Sequence, residues 1–126
     1  MTRDEVDAWI ARYERAWRSP GTEALRELFT EDATYFVSPY KDPVVGLEQI
    51  AAMWERERQG PDEVFEMTSE VFAVEGDRAV ARVEVHYGAS GRPEYRDIWL
   101  LRFEGGRCAH FEEWAFWPDK PYTAPR

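Results

Sequence analysis

The 126-residue sequence has few cysteines and few basic residues, and each shortage excludes a class of protein. Cys108 is the only cysteine, so no disulfide can form within the chain. There are 16 basic residues against 25 acidic ones, which gives a net charge of −9. Nucleic acids and anionic membranes attract proteins through clusters of basic residues, and the sequence shows no such cluster. We therefore expect neither as a partner.

Long apolar runs are also missing. A transmembrane helix needs ~20 successive apolar residues, and no stretch approaches that length. The first residues, Met1 to Glu5, are mostly polar or charged, whereas a signal peptide has an apolar centre. Together with the single cysteine, these features predict a cytoplasmic protein.

The sequence contains no motif for a metal or an organic cofactor. The two histidines, His86 and His110, do not share a ligand-like spacing with Cys108. No phosphate-binding loop, dinucleotide fingerprint or nucleophile elbow occurs. We expect no cofactor, and we interpret Cys108 as a small packing residue of a sheet.

Aromatic residues are abundant, at 15% of a chain that is 44% hydrophobic. Each large ring buries about 150–250 Å², so this set exceeds what a solid core of this size needs. The surplus rings either form a dimer interface or line a cavity, and both explanations remain open.

Hydrophobic periodicity predicts helices in the first half of the chain. Thr2 and Glu5 fit a capping box, and an apolar stripe then runs through Val6, Ile10, Tyr13 and Trp17 to a stop near 19–21. A short second helix should follow Thr22 and close at 31–32, before a strand at 33–37. Two prolines make 38–43 a loop, and a third helix spans about 47–58, ended by Gly60 and Pro61.

After residue 63 the period changes from 3.6 to 2, which predicts four strands over about 64–74, 78–87, 94–103 and 107–117. Glycine-containing turns separate them at 75–77, 89–93 and 104–106. Helices followed by an antiparallel meander indicate an α+β fold. We expect one domain over 1–126, with an extended tail from about 118.

Carboxylates interrupt the apolar faces of the last two strands. Asp97 is in phase with Tyr95 and Trp99, where an unpaired charge is costly. It is either a structural anchor for rings and backbone or a group that does chemistry in a pocket. In the last strand either Glu112 or Glu113 faces inward, because neighbours in a strand point to opposite sides. Burial would raise the pKa of that glutamate, as a general acid or base requires.

The other face of the 94–103 strand carries Arg96, Ile98, Leu100 and Arg102. Aliphatic residues flanked by charges suit an interface between two sheets. We therefore expect a homodimer formed through the outer sheet face.

Three segments together resemble the nuclear transport factor 2-like superfamily and its SnoaL-like members. They are the helix around Tyr13 with the following 28–34, the series Pro39, Gly46, Ile50 and Trp54, and the closing 102–107 and 111–114. The resemblance covers nearly the whole chain. It implies a cone-shaped fold, in which three N-terminal helices pack on a strongly curved, mainly antiparallel sheet that encloses a pocket and dimerises through its outer face.

Some members of this superfamily are ketosteroid isomerases, and the resemblance carries their residues over only in part. Their oxyanion-donating tyrosine matches Tyr13. Their catalytic base corresponds to Ser38, which cannot serve as that base, and their protonated aspartate corresponds to Trp99. We therefore disfavour steroid isomerisation by that mechanism. The epoxide-hydrolase members need an Arg and an Asp on one strand face, whereas Arg96 and Asp97 are adjacent here.

Matching the last strand to the superfamily in the same way implies that Phe111 and Glu113 turn inward, beside Asp97 on the neighbouring strand. The resemblance thus favours an acid–base enzyme of isomerase, cyclase or dehydratase type, acting on a small apolar or aromatic compound. Glu113, Asp97 and Tyr13 would be its catalytic residues. The expected substrate-binding residues are Trp17, Tyr35, Ser38, Tyr40, Trp54, Trp99 and Phe111. The alternative is a binding module without activity, whose buried carboxylates are only structural.

Overall fold

The computed structural model describes residues 1–58, 64–87 and 94–119, where three helices pack on a six-stranded sheet. The helices are α1 (Arg3–Arg18), α2 (Leu25–Leu28) and α3 (Leu47–Glu57). The strands are β1 (Phe29–Phe36), β2 (Val44–Val45), β3 (Phe65–Glu75), β4 (Arg78–Tyr87), β5 (Glu94–Glu104) and β6 (Arg107–Phe116). The predicted α+β fold with a curved, mainly antiparallel sheet is confirmed, and the sheet does not close into a barrel.

The strand order across the sheet is β2-β1-β6-β5-β4-β3. The meander from β3 to β6 is antiparallel throughout, while β1 lies parallel to β6, with Tyr35 opposite Phe111. The pairing of β1 with β6 brings a strand from the helical half of the chain beside the final strand. Side chains of β1 and β6 therefore reach the same concave face, beneath the helices.

The sequence signals of α1 operate as predicted. Thr2 and Glu5 form the complete capping box, in which each side chain bonds the backbone amide of the other residue. The buried stripe of the helix consists of Val6, Trp9, Ile10, Tyr13 and Ala16. Trp9 donates its indole N–H to the Leu28 carbonyl at 2.9 Å, which ties α1 to the end of α2. Within the described ranges, no helix is long and apolar enough to cross a membrane.

The β5–β6 hairpin determines which glutamate faces inward. Its two-residue loop is Gly105-Gly106, both with positive φ (58° and 84°), a conformation that suits glycine in tight hairpins. A bulge then shifts the register by one residue, because Phe103 pairs with Cys108 but Arg102 pairs with His110. The extra residue, Ala109, is buried like its neighbour Cys108. Beyond the bulge the odd-numbered residues of β6 face the concave side.

Some predicted boundaries need correction. The first strand begins at Phe29 instead of residue 33, because the pairing of Phe29 with Cys108 of β6 extends β1 toward the N-terminus. The two-residue strand β2 was not predicted; it pairs with Thr34 and Tyr35 of β1. Helix α3 ends one residue early, at Glu57. The predicted turn at 89–93, the stop at Gly60-Pro61 and the tail beyond residue 119 lie outside the described residues.

Candidate active site

A cavity of about 410 Å³ lies between the concave face of the sheet and the helices α1 and α3. Its size falls within the range of about 300–1,000 Å³ that is usual for small-molecule sites. Seven of the sixteen lining residues are aromatic, and three of the others carry carboxyl groups. Six residues expected at the site line this cavity: Tyr13, Trp17, Tyr35, Asp97, Trp99 and Glu113.

The register of β5 and β6 places two carboxyl groups side by side on the cavity wall. Trp99 pairs with Glu113 and Asp97 pairs with Ala115, so Asp97 and Glu113 are diagonal neighbours on one face. Asp97 is only 5% exposed and is the one buried polar or charged residue among those described. Glu113 is half-buried. No described basic residue forms an ion pair with either of them.

Burial and mutual repulsion act together on this pair. Burial raises the pKa of Glu113 well above its ordinary value, and the neighbouring charge of Asp97 raises it further. Burial also raises the pKa of Asp97, while interactions with Glu113 and the Trp99 indole oppose that rise. Such a pair retains one proton to a higher pH than either group alone. One member is then a carboxylic acid and the other a carboxylate.

Two tyrosines from different elements meet beside the carboxyl pair. The hydroxyl groups of Tyr13 on α1 and Tyr35 on β1 lie 2.6 Å apart. Burial is the main cause of the raised pKa of both phenols, and the charge of Glu113 adds to it. Both hydroxyls therefore stay protonated. Since one bond between them uses one proton, the pair retains a second O–H that can donate elsewhere.

Phe111 and Trp54 support these groups from behind and are not among the described residues that line the cavity. Phe111 is fully buried, and the rings of Tyr13 and Tyr35 stack on it with centroids 5.5 Å and 4.4 Å away. Trp54 is 1% exposed and meets Tyr13 and Trp17 edge-on. The rings of Tyr13, Tyr35 and Trp17 cover the sides of Phe111 and Trp54 that would face a ligand. Phe111 and Trp54 therefore position the tyrosines and do not contact a ligand directly.

Ser38 and Tyr40 lie away from the cavity wall. Tyr40 is 97% exposed, and Ser38 accepts a long hydrogen bond (3.5 Å) from the Tyr40 amide. Both belong to the loop after β1, where Pro39 prevents further strand pairing. The loop turns outward there and returns to the cavity only with Lys41.

Several lining residues were not among those expected at the site, notably Lys41, Glu57, Tyr87 and Tyr95. Tyr95 and Tyr87 share the alternation of the inward faces, so the strand pattern contained the signal for them. Lys41 and Glu57 are exposed residues of a loop and of a helix end. Local periodicity carries no information about either, because tertiary packing decides what a loop residue or the last residue of a helix faces.

Glu112, the residue before Glu113, faces the outer side of the sheet, away from the cavity. It contacts His110 Nε2 at 3.2 Å and accepts a hydrogen bond from the Trp114 indole. Cys108 is buried, and burial raises the pKa of its thiol to about 12, so it is a poor nucleophile. In the described part of the chain, no group of three or more His, Cys, Asp and Glu side chains is arranged to hold a metal ion.

The sequence matches one family model, described as "SnoaL-like domain", over residues 10–111. That match spans α1 to the middle of β6, and therefore includes Tyr13, Tyr35, Asp97 and Trp99 but ends two residues before Glu113. No functionally curated protein matches the chain significantly.

Solved structures with the same fold are numerous. A candidate ketosteroid isomerase from Kribbella flavida superposes with a TM-score of 0.68 at 18% identity, covering 98% of this chain and 84% of that protein. A candidate SnoaL-like polyketide cyclase from Jannaschia sp. gives 0.67 at 20% identity, covering 85% and 84%. A de novo designed protein with a curved β-sheet gives 0.69 at 18% identity, covering 94% and 90%. At these identities the likeness establishes the fold and leaves the activity open.

Proposed function

We propose that this chain, which belongs to the SnoaL-like domain family, is a cofactor-independent acid–base enzyme that transfers protons on a small apolar or aromatic compound. The observation that supports this proposal is the adjacent pair Asp97 and Glu113 on the wall of an aromatic cavity, without a basic partner. A pair that shares one proton offers an acid and a base within one site.

The roles follow from burial and position. Glu113 is the general acid–base group, because its pKa is raised well above the ordinary value and its side chain faces the cavity. Asp97 is its partner, whose charge keeps the proton on Glu113. The Tyr13–Tyr35 pair donates a hydrogen bond to an oxygen that gains negative charge during the reaction. Isomerisation, cyclisation and dehydration all need these two functions.

The arrangement differs from a site that depends on a base in the loop after β1. At that position Ser38 has no titratable group, and its hydroxyl accepts the Tyr40 amide instead of facing the cavity. We therefore assign proton transfer to β5 and β6, whose residues Asp97 and Glu113 line the cavity. The candidate isomerase and cyclase among the structural relatives are compatible with proton chemistry in such a fold, without fixing its substrate.

A generic test of the base uses 5-nitrobenzisoxazole, a neutral flat aromatic. A base removes its carbon-bound proton, the electron pair forms a nitrile, and the N–O bond breaks to release a coloured phenolate. We expect the wild-type rate to rise with pH as the shared proton leaves the carboxyl pair. Glu113→Gln should lower that rate about a hundredfold, since general acid–base catalysis contributes roughly 10²–10⁴-fold.

The matched control is Glu112→Gln, the same change one residue away on the outer face, which should leave the rate within about twofold of wild type. Equal rates in wild type and Glu113→Gln would overturn the catalytic proposal. That result, with the variant folded, would favour a binding module in which the two carboxyl groups only maintain the structure.

We also propose that the protein is a homodimer formed through the outer face of β5 and β6. On that face Ile98 and Leu100 are half-buried, and Trp114 is 38% exposed. Covering these side chains with a second copy would remove apolar surface from water. Light scattering coupled to gel filtration should give twice the monomer mass of 14.8 kDa, and Leu100→Glu should give the monomer mass. A monomeric wild type at micromolar concentration would contradict this.

A further inference from the structure

The charges along the cavity are unevenly distributed. Asp97 and Glu113 lie on the sheet wall, where Asp97 is 95% removed from water. Lys41 and Glu57 also line the cavity, but both are exposed, so they lie where the cavity meets solvent. Among the described residues of the lining, Lys41 is the only one with a permanent positive charge. The buried part of the cavity therefore holds acidic groups and no cation to balance them.

One acceptor in this buried part lacks a partner. Asp97 Oδ1 is inaccessible to water and has no hydrogen-bond partner among the described residues. An unsatisfied buried oxygen of a carboxylate costs at least as much as a neutral unsatisfied group. A cation held by the parts of Asp97 and Glu113 that line the cavity would lower that cost, because it offsets the negative charge of the pair. A carboxylate or phosphate ligand would increase it.

The walls around the carboxyl pair suit the same kind of ligand. The side chains of Tyr87, Tyr95 and Trp99 line the cavity together with those of Trp17 and Phe65. Aromatic faces attract cations through their quadrupole, and the attraction grows when water is excluded. The net charge of −9 also draws cations toward the protein as a whole.

We propose that the ligand is a protonated amine carried on an apolar or aromatic body, with its ammonium group bound between Asp97 and Glu113. This inference rests on the same carboxyl pair as the proposed function and adds the substrate class. The aromatic body occupies the space between the rings, and the ammonium group contacts the parts of the carboxyl pair that line the cavity. Neutral analogues lose the charge interaction, and anionic analogues are repelled by the carboxyl pair.

Binding of the amine should release a proton. Before binding, burial and the neighbouring Asp97 charge raise the pKa of Glu113 and so favour its protonated form. A cation beside Glu113 favours its ionised form, so the proton leaves as the ammonium enters. The other titratable groups of the lining are Asp97 and Tyr95 on β5, Tyr13 on α1, Tyr35 on β1, Tyr87 on β4, Glu57 on α3 and Lys41 in the loop after β1. Only Lys41 is a cation, and it is exposed where the cavity meets solvent, so the buried part of the cavity has no positive charge of its own among the described residues.

Isothermal titration calorimetry with three matched probes tests the proposal at about pH 7. The probes are tryptamine (cation), tryptophol (neutral) and indole-3-propionate (anion), which share the same ring and chain length. We expect tryptamine to bind at least about tenfold tighter than tryptophol, and indole-3-propionate to bind most weakly. The heat of tryptamine binding should differ between phosphate and Tris buffers, because the released proton is taken up by the buffer.

Variants distinguish the charge attraction to the ammonium group from the proton release by Glu113. Asp97→Asn should abolish the preference for tryptamine, whereas Glu112→Gln on the outer face should preserve it. Glu113→Gln should preserve the preference but remove the buffer dependence of the heat, and it serves as the decisive variant if Asp97→Asn does not fold. The proposal is overturned if tryptophol or indole-3-propionate binds as tightly as tryptamine, or if none of the three binds at millimolar concentration.

The two proposals can fail separately. If wild type catalyses ring opening of the neutral nitrobenzisoxazole but shows no preference for tryptamine, the acid–base proposal stands and the amine proposal falls. If tryptamine is preferred but Glu113→Gln does not change the ring-opening rate, the cavity binds amines without acid–base catalysis by Glu113.

Discussion

Glu112 and Glu113 are neighbours in β6 and experience opposite environments. Glu112 faces outward, next to the His110 imidazole and the Trp114 indole N–H, which contact its carboxylate. Glu113 faces the cavity, among aromatic rings and beside a second carboxyl group. The two residues have the same chemistry and nearly the same place in the sequence. The side of the sheet alone decides whether each is a carboxylate with polar partners or a candidate catalytic acid.

The difference concerns stability as well as chemistry. On the outer face, the Glu112 carboxylate has the His110 imidazole and the Trp114 indole N–H as partners, so its ionised form is stabilised. On the inner face, ionisation of Glu113 is opposed by burial and by Asp97, and no cation compensates. A group that destabilises its own protein in the ionised state is often retained for function. The inner face therefore combines the main hydrophobic core with the least favourable charges of the sheet.

The largest expected effect separates the core of the inner face from the rings of the outer face. Phe111→Ala should lower the free energy of unfolding by about 3–5 kcal/mol, the usual cost of removing a fully buried aromatic ring. Phe72→Ala is the matched control, because Phe72 is 50% exposed and contacts Arg82 on the outer face. It should cost about 1 kcal/mol or less. Urea unfolding of both variants measures the difference, and equal losses would contradict this division of the sheet.

A smaller effect concerns the pH dependence of stability, which should involve Glu113 but not Glu112. Because the folded-state pKa of Glu113 lies above its ordinary value of 4.5, the folded protein binds this proton more tightly than the unfolded chain does. Stability should therefore be highest below pH 4.5 as far as this group is concerned, and should fall as pH rises through the folded-state pKa. Glu113→Gln should remove this fall and stabilise the protein by about 1–3 kcal/mol at alkaline pH.

Urea unfolding between about pH 5 and 9 gives the measurement, with Glu112→Gln as the control that keeps the wild-type pH dependence. The same fall in stability for wild type and Glu113→Gln would show that the burial of Glu113 does not govern the pH response. A flattened profile for Glu112→Gln would assign the response to the outer face instead.

Most of the fold could be predicted from the sequence because its signals are local. The capping box at Thr2 and Glu5 and the apolar stripe of α1 each act within a few residues of themselves. The glycines at 105 and 106 likewise allow the last hairpin turn without any distant contact. The start of β1 was predicted four residues late, since Phe29 becomes part of a strand only by pairing with Cys108, far along the chain.

The candidate site was predictable in part, for the same reason. Asp97 interrupts an apolar alternation, and that interruption is visible in the sequence. The helix stripe selects Tyr13 and Trp17 in the same way, and both line the cavity. Trp54 and Phe111 belong to equally apolar patterns but lie behind other rings. Periodicity identifies the buried face of an element, but it cannot distinguish the wall of a cavity from the layer beneath it.

The sequence alone determines that this chain has two carboxyl groups in its final strands and enough aromatic residues to surround one of them. The alternation of the last strand leaves open which glutamate that is, because a bulge adds one residue to the count, and only the family resemblance favoured Glu113. The bulge at Ala109 shifts the register of β6, turns Glu113 inward beside Asp97, and leaves Glu112 outside. Packing of β6 between β1 and β5 decides this placement, since only there do the rings of distant segments close over the pair.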